Sequence, residues 1–329
     1  MSTQAIPLTT DQPDRRLAVA AIAFVLVAAL VTGTLPVGVS IVAVFLCAGP
    51  HNWVEARYFL ARLPGRWGKL AGFFTLGLGG VAVLTAAFAS IHWLGTVEYW
   101  ATASSVWNTV LALWIATLVH LRSRQNPRRD WGWIWPAAFT AIALAWYFPY
   151  GWCLGLVYLH PLVALWILDR EIGRVAPEYR RTYRACLLVV PICVAGLCWQ
   201  LAGSPDLPGE DILTVQIRRH AGDGILEGVS THLLVAMHTF LEVIHYGVWL
   251  IAVPWVARNT ALWNVQRTPL ARRSAAWSVG LRTFIFAGLG AVAILWIGFA
   301  VDYPITRDVY FTVALAHVLA EVPFLLRAL

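Results

Sequence analysis

Apolar and polar positions alternate along this chain in long blocks, not with the two-residue period of a half-buried strand. Runs of about twenty residues without an uncompensated charge recur near 17–35, 37–61, 70–94, 99–121, 131–150, 151–169, 185–202, 226–256, 281–300 and 309–328. Twenty residues of helix rise about 30 Å, the thickness of a bilayer's hydrocarbon core. Glycine and proline punctuate the joints, as in Leu63-Pro64-Gly65 and Pro205-Asp206-Leu207-Pro208-Gly209. The pattern predicts an all-α polytopic integral membrane helix bundle of about ten transmembrane helices. A polar tail covers 1–16, and one transmembrane domain covers 17–329 with a longer outer segment near 203–225. No small-residue cleavage site closes the run from Leu17, so it is read as a retained first helix.

Composition agrees with this pattern. Apolar residues make up 59% of the 329 and charged residues 12%, far from the balance of a soluble domain. The 18 tryptophans suit helix ends, where an amphipathic ring sits at headgroup level. The charge balance of +7 does not imply a nucleic-acid partner, because the basic residues fall in short segments between apolar runs. With the N-terminus inside, 21 of the 24 Lys and Arg fall on inner segments, leaving Arg218, Arg219 and Arg307 outside. The expected location is therefore a bacterial inner membrane, with both termini cytoplasmic. The five cysteines lie in apolar stretches without a Cys-x-x-Cys pair and read as buried structural thiols.

Ionisable residues inside a span are costly, about 2.5–3.5 kcal/mol for a central charge on insertion scales, and they usually face the bundle interior. Glu55, Glu242 and Glu321 are the acids deepest in apolar runs, and each follows a histidine by four residues: His51, His238 and His317. A spacing of four returns to nearly the same helix face. His245 extends the His238–Glu242 stripe by a further turn, and Glu242-x-x-His245 has the spacing used in di-iron carboxylate bundles. His51, His160, His238 and His317 fall at similar depth, roughly 12–21 Å from the outer ends of their spans at 1.5 Å per residue. Imidazoles and carboxylates in that arrangement suit a divalent metal, with iron favoured and zinc or manganese as alternatives. The competing use of such histidines is hydrogen bonding between helices. His92, His120 and His220 read as structural. His232 faces away from His238, and Asp169 is expected to pair with nearby arginines.

The stretch Gly49-Pro50-His51-Asn52-Trp53-Val54-Glu55 resembles the Pro-His-Gly-Ala-x-Asp signature of the microbial integral-membrane β-carotene dioxygenases, the bacteriorhodopsin-related-protein family. His245-Tyr246-Gly247 is similar to that family's His-Phe-Gly segment. Asn52-Trp53 stands where the family has Gly-Ala, Glu55 stands for Asp, and no acid follows Gly247 at the family's position. The resemblance implies an iron held by histidines, His51 and His245 among them, and oxidative cleavage of a carotenoid.

The expected function is a metal-dependent membrane oxidoreductase, an oxygenase acting on a lipid-soluble substrate such as an isoprenoid, carotenoid or acyl chain. Its metal candidates are His51, His160, His238, His245 and His317, with Glu55, Glu242 and Glu321 as further ligands or catalytic groups. Two other classes use the same residues. One is a transporter or proton-coupled carrier relying on the glutamates. The other is a b-type haem carrier, with His160 and His317 as one axial pair.

Overall fold

The computed structural model describes residues 11–125, 130–258, 260 and 264–328. Arg128 and Arg129, read above as inner charges, and residues 1–10 of the tail lie outside the described residues. Among those described there is no strand, and nine helices are long and apolar enough to cross a membrane. The chain is an all-α membrane bundle.

The expected fifth span differs most. Its helix covers only Ile134–Tyr147, 14 residues or about 21 Å of rise. Phe148 leaves helical geometry at φ −131° and ψ 66°, and the next helix begins at Pro149. The residue before a proline is biased away from the helical region, which makes this joint a break and not a kink.

The chain divides into two compact units, 1–43 with 161–257, and 44–160 with 258–329. The division falls inside two helices, α2 (Pro36–Arg62) and α6 (Pro149–Val175).

In the first unit, α1 (Asp11–Thr34) packs on α8 (Val189–Leu201) and α10 (Thr231–Gly247). The expected span 185–202 is interrupted at Leu188, where α7 (Arg180–Leu187) ends and α8 begins. Pro191 removes the amide that would donate to Leu187, so the ladder is weakest there. Asp169 on α6 accepts bonds from Arg180 and Arg184 at 2.7 Å each, the arginine pairing expected from the sequence. After Gly247 the tenth helix widens into a π-helical stretch, Val248–Ala252, and then continues as α11 (Val253–Val256). Pro254 cannot donate to Leu250, and the wide turn accommodates that lost bond.

The segment between α8 and α10 is more ordered than a plain connection. It contains α9 (Ile212–His220), whose first turn is capped by Asp211 accepting from the Thr214 amide at 2.8 Å. Ile217 and Ala221 pack with Leu234 and Val235 of α10. Asp206 accepts from the amide and hydroxyl of Thr231 at 2.8 and 3.0 Å, fixing the start of α10.

In the second unit, α3 (Ala71–Leu94) packs on α4 (Val97–Gln125) and α13 (Tyr303–Ala328), α4 packs on α5 (Ile134–Tyr147), and α12 (Ala275–Val301) packs on α13. Lipid offers no hydrophobic drive between helices, so close packing and hydrogen bonds hold them. Gly80 lies under the indole of Trp114, where a Cβ would overlap the ring, and that indole donates to the Leu76 carbonyl at 2.9 Å. Gly77 gives similar room to Pro323, whose Cβ would stand only 3.0 Å from a methyl group at position 77. Trp53 of α2 donates to Ile285 of α12 at 3.0 Å, fixing the helix that carries His51 and Glu55.

Candidate metal centre

The second unit brings five of the sequence-predicted residues together. His51 and Glu55 come from α2, His160 from α6, and His317 and Glu321 from α13. His51, Glu55 and Glu321 are each 2% exposed or less. His51, Glu55 and His317 each offer a ligand atom, and these atoms lie within 4.8 Å of one another. His160 closes the group: its Nε2 is 3.2 Å from His317 Nε2, and its Nδ1 is 3.2 Å from Glu321 Oε2. The His317 ring meets His51 edge-on at 5.2 Å and His160 at 5.1 Å between centroids.

Each of the three helices carries a proline in its interior beside the site, Pro50 before His51, Pro161 after His160 and Pro323 after Glu321. Proline in a membrane helix frees a carbonyl and loosens the ladder locally, which is tolerated where the backbone is buried in protein. His51 Nδ1 is 3.0 Å from the Cys47 carbonyl one turn back. A carbonyl only accepts, so Nδ1 carries the proton and Nε2 is left as the lone-pair nitrogen.

These residues fit a metal on two counts. First, both oxygens of the fully buried Glu55 lack a hydrogen-bond partner among the described residues, as does Glu321 Oε1. A buried carboxylate in that state needs a proton or a cation. Second, two imidazole nitrogens bound at 2.0–2.1 Å in neighbouring positions around one ion stand roughly 3 Å apart, close to the 3.2 Å between His160 and His317. Axial ligands on opposite sides of a haem iron would stand about 4 Å apart.

The remaining predicted residues, His238, Glu242 and His245, form a buried stripe on α10 of the first unit. Tyr246 donates to Glu242 Oε1 at 2.7 Å. The His238 ring meets His220 of α9 edge-on at 4.9 Å. His220, read from the sequence as structural, thus joins this stripe; its loop-like surroundings gave no sign of it. His232 turns its Nε2 to the Gly33 carbonyl at 3.0 Å, tying α10 to α1. His92 pairs with Asp308 at 3.0 Å, and His120 lies against Trp135, consistent with structural duty.

Outside the spans, the clearest electrostatic effect is in the segment between α8 and α10. The Thr231 amide and hydroxyl hold the Asp206 carboxyl below the usual carboxylate range. The Thr214 bonds at the α9 cap do the same for Asp211.

The chain matches no protein-family model, no curated protein and no solved structure.

Proposed function

We propose that the protein is a metal-dependent membrane oxidoreductase whose centre is held by His51, His160 and His317, with Glu55 as a further ligand. The observation that carries this reading is the meeting of three imidazoles from three helices beside a buried carboxylate that has no hydrogen-bond partner among the described residues. Iron is the metal of choice, since mixed His and carboxylate sets with open positions suit non-haem iron; zinc and manganese are the alternatives. Bound iron supplies oxygen activation. The chain's own residues do the rest: Cys47 orients His51, Glu321 orients His160, and the apolar helices keep water out. The resemblance of 49–55 to the β-carotene dioxygenases supports a lipid-soluble substrate, an isoprenoid, carotenoid or acyl chain, reaching the site from the membrane. The basic segments support a bacterial inner-membrane location with both termini cytoplasmic.

A second reading has its own observation. Glu321, His160 and His317 form a continuous chain of contacts at 3.2 Å, the arrangement of a proton relay in a carrier. Metal content separates the two. Protein purified gently from metal-supplemented cells should hold about one iron, zinc or manganese per chain. Metal-free protein would sink the oxidoreductase and leave the carrier, which is then tested by proton uptake into vesicles.

A further inference from the structure

The first unit carries a half-open cavity of about 770 Å³ that the metal reading does not use. Its walls come from α1, α6, α7 and the tenth helix with its π-helical stretch. They are overwhelmingly apolar, and alanines and a glycine (Ala20, Ala21, Gly247, Ala252) provide the width. Three lining residues differ in kind: Arg16 near the start of α1, Tyr179 in the turn before α7, and Trp255 after the π-helical stretch, with the Tyr179 and Trp255 rings 6.3 Å apart.

Those residues divide the cavity into two chemistries. A volume of 300–1,000 Å³ with apolar walls and few polar groups is what a ligand site of small-molecule size requires. Aromatic rings with a polar edge favour headgroup depth, and an arginine there attracts anionic lipid. π-Helical turns, for their part, cluster at functional sites, and Val248, Ile251 and Ala252 of this one all face the cavity. Gly247 adds a local reason: a Cβ there would strike the Phe24 ring, which also lines the wall.

We propose that this cavity is a lipid site, taking the acyl chain of an anionic phospholipid whose headgroup lies at Arg16. The chain fills space that protein leaves open. Arg16 and the Tyr179 and Trp255 edges set the headgroup's depth and sign. Such a lipid binds the protein as a resident component and is distinct from any substrate.

The test uses the full chain in phosphatidylcholine vesicles containing a minor fraction of phosphatidylglycerol with a diazirine at the end of one acyl chain. Illumination should label peptides from Leu17–Val25 and Ile244–Trp255, saturate near one lipid per chain, and be displaced by unlabelled phosphatidylglycerol. Filling the cavity with Ala21→Phe and Ala252→Phe should lower that labelling about tenfold while leaving helicity and elution unchanged. Arg16→Gln should weaken the preference for phosphatidylglycerol over a phosphatidylcholine probe by about fivefold. Labelling that never saturates, or that spreads equally over the lipid-facing α12, would overturn the site. Equal labelling by both probes in the unmodified protein would overturn the anionic headgroup. If the filled variant does not fold, saturation and displacement in the unmodified protein decide.

Discussion

The two units each bury histidines and glutamates, but they assemble them differently. In the second unit the five residues come from three helices, and the contacts that matter run between helices: His317 to His160, and His160 to Glu321. In the first unit His238, Glu242 and His245 share one helix, met by His220 of α9, and the clearest hydrogen bond there is local, Tyr246 to Glu242 one turn away. A local bond forms as soon as the helix does and says little about a ligand. Contacts drawn from three helices require tertiary packing to hold buried polar groups together against their desolvation cost. A His-x-x-x-Glu spacing is thus one signal with two outcomes, separated by what the neighbouring helices bring.

The comparison can be broken most decisively at the metal. Replacing His51 and His317 together by alanine should take metal content from about one per chain to background, measured by mass spectrometry of purified protein. Unchanged content would remove the distinction between the two groups. Next in size is Glu55→Gln, which keeps the shape but removes the anionic ligand. A loss in metal affinity of about 10–100-fold is expected, read by competition with a chelator. In the other unit, Tyr246→Phe should cost only about 1 kcal/mol, the net worth of one hydrogen bond, in reversible unfolding from mixed micelles. A loss several times larger would mean that the stripe depends on more than its local bond.

The smallest effect concerns pH at the segment between α8 and α10. Asp206 and Asp211 titrate below the usual carboxylate range when folded, because Thr231 and Thr214 donate to them. Their contribution is present in full above the unfolded carboxylate value and is lost as pH falls through the lower folded values. Melting temperature should therefore decline below about pH 4, and Asp206→Asn should flatten that decline. A slope unchanged by the substitution would remove Asp206 as its source.

Much of this was legible in the sequence, for definable reasons. Long uncharged runs locate membrane helices because the bilayer's thickness is fixed, and so nine of the spans appear as expected. The fifth did not keep its length, since hydropathy continues smoothly through Phe148-Pro149 while backbone geometry does not. Asp169 was readable through the arginines that follow it. The pairing of Glu321 was not. Spacing assigns it to His317, on its own helix, whereas the structure sets it against His160 from α6. Spacing reports which face a residue occupies, and only packing reports what lies opposite. His220 shows the same limit, because nothing in a loop-like stretch says that its helix folds onto α10.

The anchor of His51 has a consequence for how this site tolerates genetic change. Its ring is steadied by the main-chain oxygen of residue 47, which every amino acid possesses. Drift at Cys47 can alter packing but cannot delete that acceptor, so this ligand's orientation is shielded from substitution at its own support. The contact of His160 Nδ1 with Glu321 is of the other kind, since it is made by a side chain and a single codon change removes it. Among variants arising by chance, those that disorient the centre should therefore accumulate at position 321 far more than at position 47.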